Sequence, residues 1–312
     1  MQLKYALNSA MQRFTAEHVP SPRMNAELLL RFVLNCDRAY LFAHPERELT
    51  EEEYSRYEAA LTERERGTPA QYITGHQEFW GMNLMVTPAV LIPRPETEHV
   101  IEAVLERVAP ASPPFKAAER RQNAAHGASR GSAEQKEQAP EERKKLQIVD
   151  VGTGSGAIAL ALAKELPQAG IIAIDISPAS LEIARANAAC HQLESRIHFH
   201  EGNLLEGFEP ETFDFIVSNP PYVGESEEDS VQLEVRKFEP RNAVFAGQNG
   251  TAVIERLIPQ ARAALKPGGW LIMEISGTIA EDVGKLLAGW DEVSLKSDLQ
   301  SIPRVASARR PQ

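Results

Sequence analysis

One stretch of the chain combines residue types that can do chemistry on a planar nitrogen. Ser218-Asn219-Pro220-Pro221-Tyr222 directly follows the apolar run Phe213-Asp214-Phe215-Ile216-Val217. A short aromatic and β-branched run that stops at a double proline reads as a buried strand, which puts Asn219 at the strand's carboxyl end. Open α/β sheets bind their ligands at that end. Residues that precede a proline favour extended backbone and prolines have no N–H, so the corner is stiff and rich in acceptors. The side-chain carbonyl of Asn219 and the backbone carbonyl of Pro220 can each take one hydrogen from an NH2 group, with Tyr222 over its flat face. The group held there is an amide or the exocyclic amine of a base. Its nitrogen is a poor nucleophile because the lone pair is delocalised. Held in line with an activated methyl group it needs no strong base, because its proton becomes acidic only as the new N–C bond forms. Orientation then carries much of the step and is worth up to roughly 7 to 11 kcal/mol in favourable cases. The plain alternative is a proline turn that only ends a strand.

A second motif weakens that alternative. Ile148-Val149-Asp150-Val151 reads as a strand, Gly152-Thr153-Gly154-Ser155-Gly156 as a turn, and Ala157 to Leu166 as a helix. Ile171-Ile172-Ala173-Ile174 is the next strand, and it ends in Asp175. A βαβ unit with a glycine-rich first turn and an acid about twenty residues on is the arrangement that seats a nucleoside. The glycines let backbone N–H groups approach the ligand, and Asp175 can accept from both ribose hydroxyls. A tight packing turn is the other reading. A NAD-dependent dehydrogenase shares such a turn, but Gly-Thr-Gly-Ser-Gly lacks the G-x-G-x-x-G spacing and Asn-Pro-Pro-Tyr offers no hydride chemistry. A nonenzymatic nucleoside sensor has a use for Asp175 but none for Asn219.

The elements that must position these residues follow from periodicity. Residues 1 to about 66 read as helical, with Ser21-Pro22 as a cap and first turn ahead of the apolar positions Ala26, Leu29, Leu30 and Val33. Thr50 is the cap candidate for a helix over Glu51 to Arg66. These helices carry no catalytic cluster, and read either as a small bundle or as a partner-docking surface. From Gln77 to Ile92 the pattern suggests a β-hairpin that joins two domains. Pro93-Arg94-Pro95-Glu96-Thr97-Glu98 then stiffens the entry to a helix with Val100, Ile101, Val104, Leu105 and Val108 on its apolar face. Arg94 and Glu96 are either ordinary helix-start residues or ligand-facing ones. Ala109 to Lys145 has one aromatic residue, Phe115, and no sustained apolar period, which predicts a disordered surface insertion.

Beyond Asp175 the alternation continues. It predicts a helix over Ser180 to Ala189, a strand near Ile197 to His200 with Gly202-Asn203-Leu204 at its end, and the strand that leads to Asn219. Ala243 to Ala246 reads as a short strand or an extended loop. A helix carrying Ile254, Leu257, Ile258, Ala261 and Leu265 is predicted to stop at Pro267-Gly268-Gly269, ahead of a buried strand over Trp270 to Ile275. Segments around Val293 to Leu295 and Arg304 to Ala308 can close an edge. The alternating series predicts an α/β fold with a mostly parallel sheet and helices on both faces.

Composition bounds the function. The 312 residues are 43% hydrophobic and 25% charged, ordinary for a globular chain of more than one core. No apolar run reaches membrane-spanning length, and the opening residues form no signal peptide, so a cytoplasmic protein is expected. Cys36 and Cys190 lie far apart with no metal-ligand or redox spacing, and no metal is expected. The net charge of -11 argues against a broad surface for gripping phosphate backbones.

The chain resembles the bacterial and organellar peptide chain release factor glutamine methyltransferase family, within the class I S-adenosylmethionine-dependent methyltransferases. The resemblance runs through Glu78-Phe79-Trp80, Leu91 to Glu98, Asp150 to Gly156, Ser218 to Tyr222 and Asp298-Leu299-Gln300-Ser301-Ile302-Pro303-Arg304. The proline-rich segment around Arg94 is the most specific of these. The long segment 109–145 departs from the family pattern, where the connection is usually short.

The resemblance implies a Rossmann-like seven-stranded sheet with an antiparallel last strand. It implies a helical amino-terminal domain over 1–75 that docks the release factor, a linking hairpin over 76–93 and a catalytic domain over 94–312. It implies that Gly152, Thr153, Gly154, Ser155, Gly156 and Asp175 hold S-adenosylmethionine, with Asn203 and Leu204 along its adenine and Asn219 beside it. Asn219, Pro220, Pro221 and Tyr222 would grip the glutamine amide of a Gly-Gly-Gln loop, with Arg94 and Glu96 as further substrate contacts. An amino-methyltransferase acting on adenine or guanine makes the same demand on the corner. It must extract the base and usually presents a cationic surface, which the acidic balance and the leading helices disfavour.

Overall fold

The computed structural model describes residues 1–108 and 145–312, so nearly all of the segment read as an insertion lies outside the described residues. The described chain opens with five helices: α1 (Leu3–Ala16), α2 (Pro22–Leu34), α3 (Arg38–Ala43), α4 (Glu51–Glu65) and α5 (Ala70–Thr74). They enclose an apolar core of their own that includes Leu3, Phe14, Ala26, Leu29, Leu30, Tyr57 and Leu61. Thr50 caps α4 through a reciprocal box: its hydroxyl accepts from the Glu53 N–H, while the Glu53 carboxylate accepts from the Thr50 N–H. Ser21 does not cap α2 with its side chain. Its backbone is left-handed at φ 47°, so the hydroxyl makes no cap hydrogen bond and Pro22 alone sets the first turn.

A two-stranded hairpin follows, β1 (His76–Phe79) with β2 (Met82–Met85). Its turn is Trp80-Gly81, with φ 52° and 67°, the positive pair that two-residue hairpin turns require. Val90-Leu91-Ile92 are not part of the hairpin. They lie in irregular chain between Pro88 and Pro93, where the missing N–H groups cannot sustain a ladder. The segment Pro95–Thr97 forms a single 3-10 turn that leads into α6 (Glu98–Val108).

The main sheet has seven strands: β3 (Gln147–Val151), β4 (Gly170–Asp175), β5 (Ile197–Glu201), β6 (Phe213–Ser218), β7 (Leu265–Glu274), β8 (Asp291–Ser297) and β9 (Pro303–Arg309). Their order is β5-β4-β3-β6-β7-β9-β8. β9 runs antiparallel to both of its neighbours, and the remaining pairings are parallel. Alternation along the strands feeds two cores. Ile148 and Phe215 face α6 and the helix Ala157–Glu165, whereas Val149 and Ile216 face the helix Ala252–Ala264. No described helix is long and apolar enough to cross a membrane.

Two local expectations are corrected. Arg241–Val244 forms a one-turn helix in the stretch read as strand or loop, and Phe245 makes only an isolated bridge to Val223. The helix Ala252–Ala264 ends before Pro267, because Leu265 is fully buried in the sheet and already belongs to β7. The Pro-Gly-Gly stretch is absorbed as an irregularity, since Phe213 pairs with Leu265 but Phe215 pairs with Trp270.

The strand order places a switch point between β3 and β6, because the chain leaves β3 toward β4 and returns on its other side at β6. Val151 and Ser218 are register partners there, and the Ser218 hydroxyl donates to the Val151 carbonyl at 2.7 Å. The glycine turn and the Asn-Pro-Pro-Tyr corner therefore leave the sheet side by side.

Candidate active site

A cavity of about 550 Å³ opens over this switch point. Gly152 and Gly154 line it at φ +73° and +55°, and a side chain at either would project into open space rather than into protein. The backbone approach is less generous than the glycine spacing predicts. The N–H groups of Gly152 and Thr153 both donate to the Ile174 carbonyl at 2.8 Å, and that of Gly156 donates to Thr153 at 2.8 Å. The Gly154 N–H donates to Asp175 Oδ2 at 2.9 Å. Four of the five turn amides are thus bonded inside the protein. The turn's shape, more than its donors, makes room for a ligand.

Asp175 sits at the end of β4 with its other oxygen accepting from the Ser177 N–H at 2.9 Å. Burial raises its pKa, and hydrogen bonds from Ser177 and Gly154 oppose that rise. A carboxylate can accept about four hydrogen bonds, so the group keeps capacity for a further donor. Behind the turn, Asp150 is fully buried; one oxygen accepts from the Thr153 hydroxyl at 2.7 Å and from the Ala159 N–H at 3.1 Å. Its Oδ1 has no partner, and burial pushes its carboxyl up to about 7.

At the corner, Asn219 Nδ2 donates to Thr97 Oγ1 at 3.1 Å. The Thr97 hydroxyl donates in turn to Glu274 Oε2 at 2.5 Å, and the Tyr222 hydroxyl donates to Glu274 Oε1 at 2.9 Å. Glu274 ends β7 and is 1% exposed, so no water competes for its oxygens. Burial raises the Glu274 pKa and the two hydroxyls oppose it; burial also raises that of Tyr222.

The structure brings Gly152, Thr153, Gly154, Ser155, Asp175, Asn203, Leu204, Asn219 and Pro221 together on the cavity wall. Gly156, Pro220, Tyr222, Arg94 and Glu96 do not border it. A side chain on Gly156 would come within 2.5 Å of Leu160 and 3.2 Å of Ala184, so its visible role is close helix packing. Both polar atoms of Asn203 are engaged, Nδ2 with Glu206 and Oδ1 with Arg256. Arg94 pairs with Glu239 at 2.5 Å, whose other oxygen accepts from the Ile92 N–H. Glu96 is half-buried and bears electrostatically on Glu274 and Arg304.

Sequence reasoning missed Glu274 and Thr97 as partners of the corner. The signal was an acid inside the apolar run Trp270 to Ile275. It also missed that the linking segment walls the cavity through Pro88, Ala89, Val90 and Leu91. That segment is held by Ser180, whose hydroxyl donates to Ala89, and by Asn187. Asn187 is 1% exposed and exchanges hydrogen bonds with the Met85 backbone while donating to the Ser155 carbonyl.

Comparison with known proteins bears on the family and the fold. The family model described as PrmC N-terminal domain matches residues 5–75, and the one described as methyltransferase small domain matches residues 131–237. A solved structure of the hMettl16 catalytic domain bound to an RNA hairpin superposes with a TM-score of 0.51 at 14% identity, covering 84% of this chain and 83% of that one. That likeness speaks to the fold alone. The release factor glutamine methyltransferase of Escherichia coli K12 is 35% identical over 311 residues, 99% of each chain. That of Koribacter versatilis is 50% identical over 312 residues, spanning 100% of this chain and 99% of the relative. Identity of that order along the whole length means that the chain belongs to the release factor glutamine methyltransferase family.

Proposed function

We propose that this protein transfers a methyl group from S-adenosylmethionine to the side-chain amide nitrogen of the glutamine in the Gly-Gly-Gln loop of peptide chain release factors. The observation that carries the reading is the corner: Asn219 keeps Oδ1 free of any described hydrogen bond while Nδ2 is tied to Thr97, beside a cavity floored by the glycine turn. A free acceptor at that place answers an NH2 donor.

The residues present fit the cofactor. The cavity lies within the size range of small-molecule sites, and Gly152 and Gly154 clear the space above the turn. Asp175 offers its remaining lone pairs to ribose hydroxyls, and Asn203 and Leu204 flank the base. When bound, S-adenosylmethionine supplies an activated methyl group on a sulfonium centre. Asn219 Oδ1 and the Pro220 carbonyl each accept one hydrogen of the glutamine amide, which turns the nitrogen toward the cofactor side. Pro221 and Tyr222 close the amide's flat face, and Arg94 and Glu96, which lie off the cavity wall, are left for release-factor contacts beyond the amide. The five leading helices are the surface assigned to the folded release factor, in a cytoplasmic setting.

The test is methyl transfer from tritiated S-adenosylmethionine to a folded release factor, its Gln→Glu loop variant, duplex DNA and ribosomal RNA. Label on the glutamine protein alone is expected. Equal label on the Gln and Glu proteins, or strong label on nucleic acid, would overturn the reading.

A further inference from the structure

We propose that Glu274 and Thr97 are positioning residues that fix which end of the Asn219 amide faces the substrate. The proposal deepens the reading of Asn219 as acceptor for the target amide and rests on it.

An asparagine amide is nearly symmetric in shape, so packing alone does not choose between its C=O and NH2 ends. Hydrogen-bond polarity must choose. The Glu274 carboxylate is acceptor-only when ionised, and its two oxygens accept hydrogen bonds from two hydroxyls, Thr97 at 2.5 Å and Tyr222 at 2.9 Å. A threonine hydroxyl has one proton, and that proton is committed to Glu274. Thr97 can therefore only accept from Asn219, which selects Nδ2 as the atom facing it, at 3.1 Å. Oδ1 is left for the substrate. A flipped Asn219 would set its NH2 against the NH2 of the target, a donor facing a donor.

The three residues come from distant parts of the chain, 122 positions apart for Asn219 and Thr97 and 177 for Thr97 and Glu274. Thr97 is 3% exposed and Glu274 1%, so water does not supply a substitute proton or lone pair. The same carboxylate holds Tyr222 on the other side of the corner. One buried carboxyl group, accepting from both hydroxyls, thus sets the polarity of one wall and the position of the other.

The test compares wild type, Thr97→Ser, Thr97→Val and Glu274→Gln, using tritiated S-adenosylmethionine and a folded release factor. It reads kcat, KM for the release factor, and calorimetric Kd for S-adenosylmethionine. Thr97→Ser keeps the hydroxyl and should stay within about threefold of wild type in kcat. Thr97→Val removes it, and Glu274→Gln brings an NH2 that can reverse the relay. Both should lose kcat by at least about 10-fold, with cofactor Kd within about threefold. Val and Gln variants within twofold of wild-type kcat would overturn the proposal. So would a Ser variant as slow as the Val one, or losses that track cofactor Kd, since either points to packing. A wild-type protein inactive on the release factor glutamine overturns instead the reading on which the proposal rests.

Discussion

The two halves of the site leave the carboxyl ends of neighbouring central strands but are built on opposite plans. At the glycine turn the protein bonds four of its five backbone amides to itself and uses φ and small size to keep space clear, while Asp175 brings a carboxylate to the cavity wall. At the corner the backbone is fixed by two prolines, and side chains from three elements relay hydrogen bonds that leave Asn219 Oδ1 open as an acceptor. The carboxylates differ in the same way. Asp175 keeps acceptor capacity for a ligand, whereas Glu274 is buried and used from both sides. Binding and turnover should therefore separate cleanly by mutation.

The largest separation is expected at Asn219. Replacement by Ala removes the acceptor and leaves the turn and Asp175 intact, so turnover should fall at least on the order of 10²-fold with cofactor affinity nearly unchanged. Single-turnover transfer beside calorimetry measures both, and parallel losses would erase the distinction between the halves. At the other half, Asp175→Ala should weaken S-adenosylmethionine binding by about 1.5 to 3 kcal/mol, as expected for bonds to a charged group. An affinity within twofold of wild type would remove Asp175 from the ribose.

Asn187 tests how the halves are held to the linking segment. Its replacement by Ala strands the half-buried Met85 N–H and the buried Ser155 carbonyl, at a cost of about 1 to 3 kcal/mol in denaturant unfolding. An unchanged midpoint would mean that the hairpin is secured elsewhere.

A further effect is a slope with pH, not a step at one site. Asp150 ordinarily titrates near 3.8, and in the fold near 7, so between those values the folded state binds more protons than the unfolded one. Its contribution then makes stability fall as pH rises, by at most about 1.4 kcal/mol per pH unit. Asp150→Asn should remove that slope between roughly pH 4 and 7 while keeping an acceptor for Thr153 and Ala159. Parallel wild-type and variant stability curves across the window would show that the buried carboxyl does not titrate there.

Much of this was legible because local patterns carried it. The strands ending at Val151, Asp175 and Ser218 announce themselves by apolar runs closed by glycine, acid or proline, and β8 and β9 close the edge where β-prone segments suggested. The capping box at Thr50 needs only residues three apart. What escaped was non-local or decided by burial. Nothing near Asn219 in sequence indicates Thr97 or Glu274, and the proline-glycine stretch at 267–269 looks like a helix stop until Leu265 is seen buried in β7. The glycine amides looked available because spacing does not reveal that Ile174 and Asp175 already accept from them.

The claim that the corner presents Asn219 Oδ1 as an acceptor to a glutamine amide is tested most directly by locating the transferred methyl group. Folded release factor is incubated with wild type or Asn219→Ala at saturating S-adenosylmethionine, and the loop peptide is sequenced by tandem mass spectrometry. One added methyl on the side-chain nitrogen of the Gly-Gly-Gln glutamine with wild type, and almost none with the variant at equal cofactor occupancy, is the predicted result. A methyl group on any other residue, or equal modification by both proteins, would contradict it.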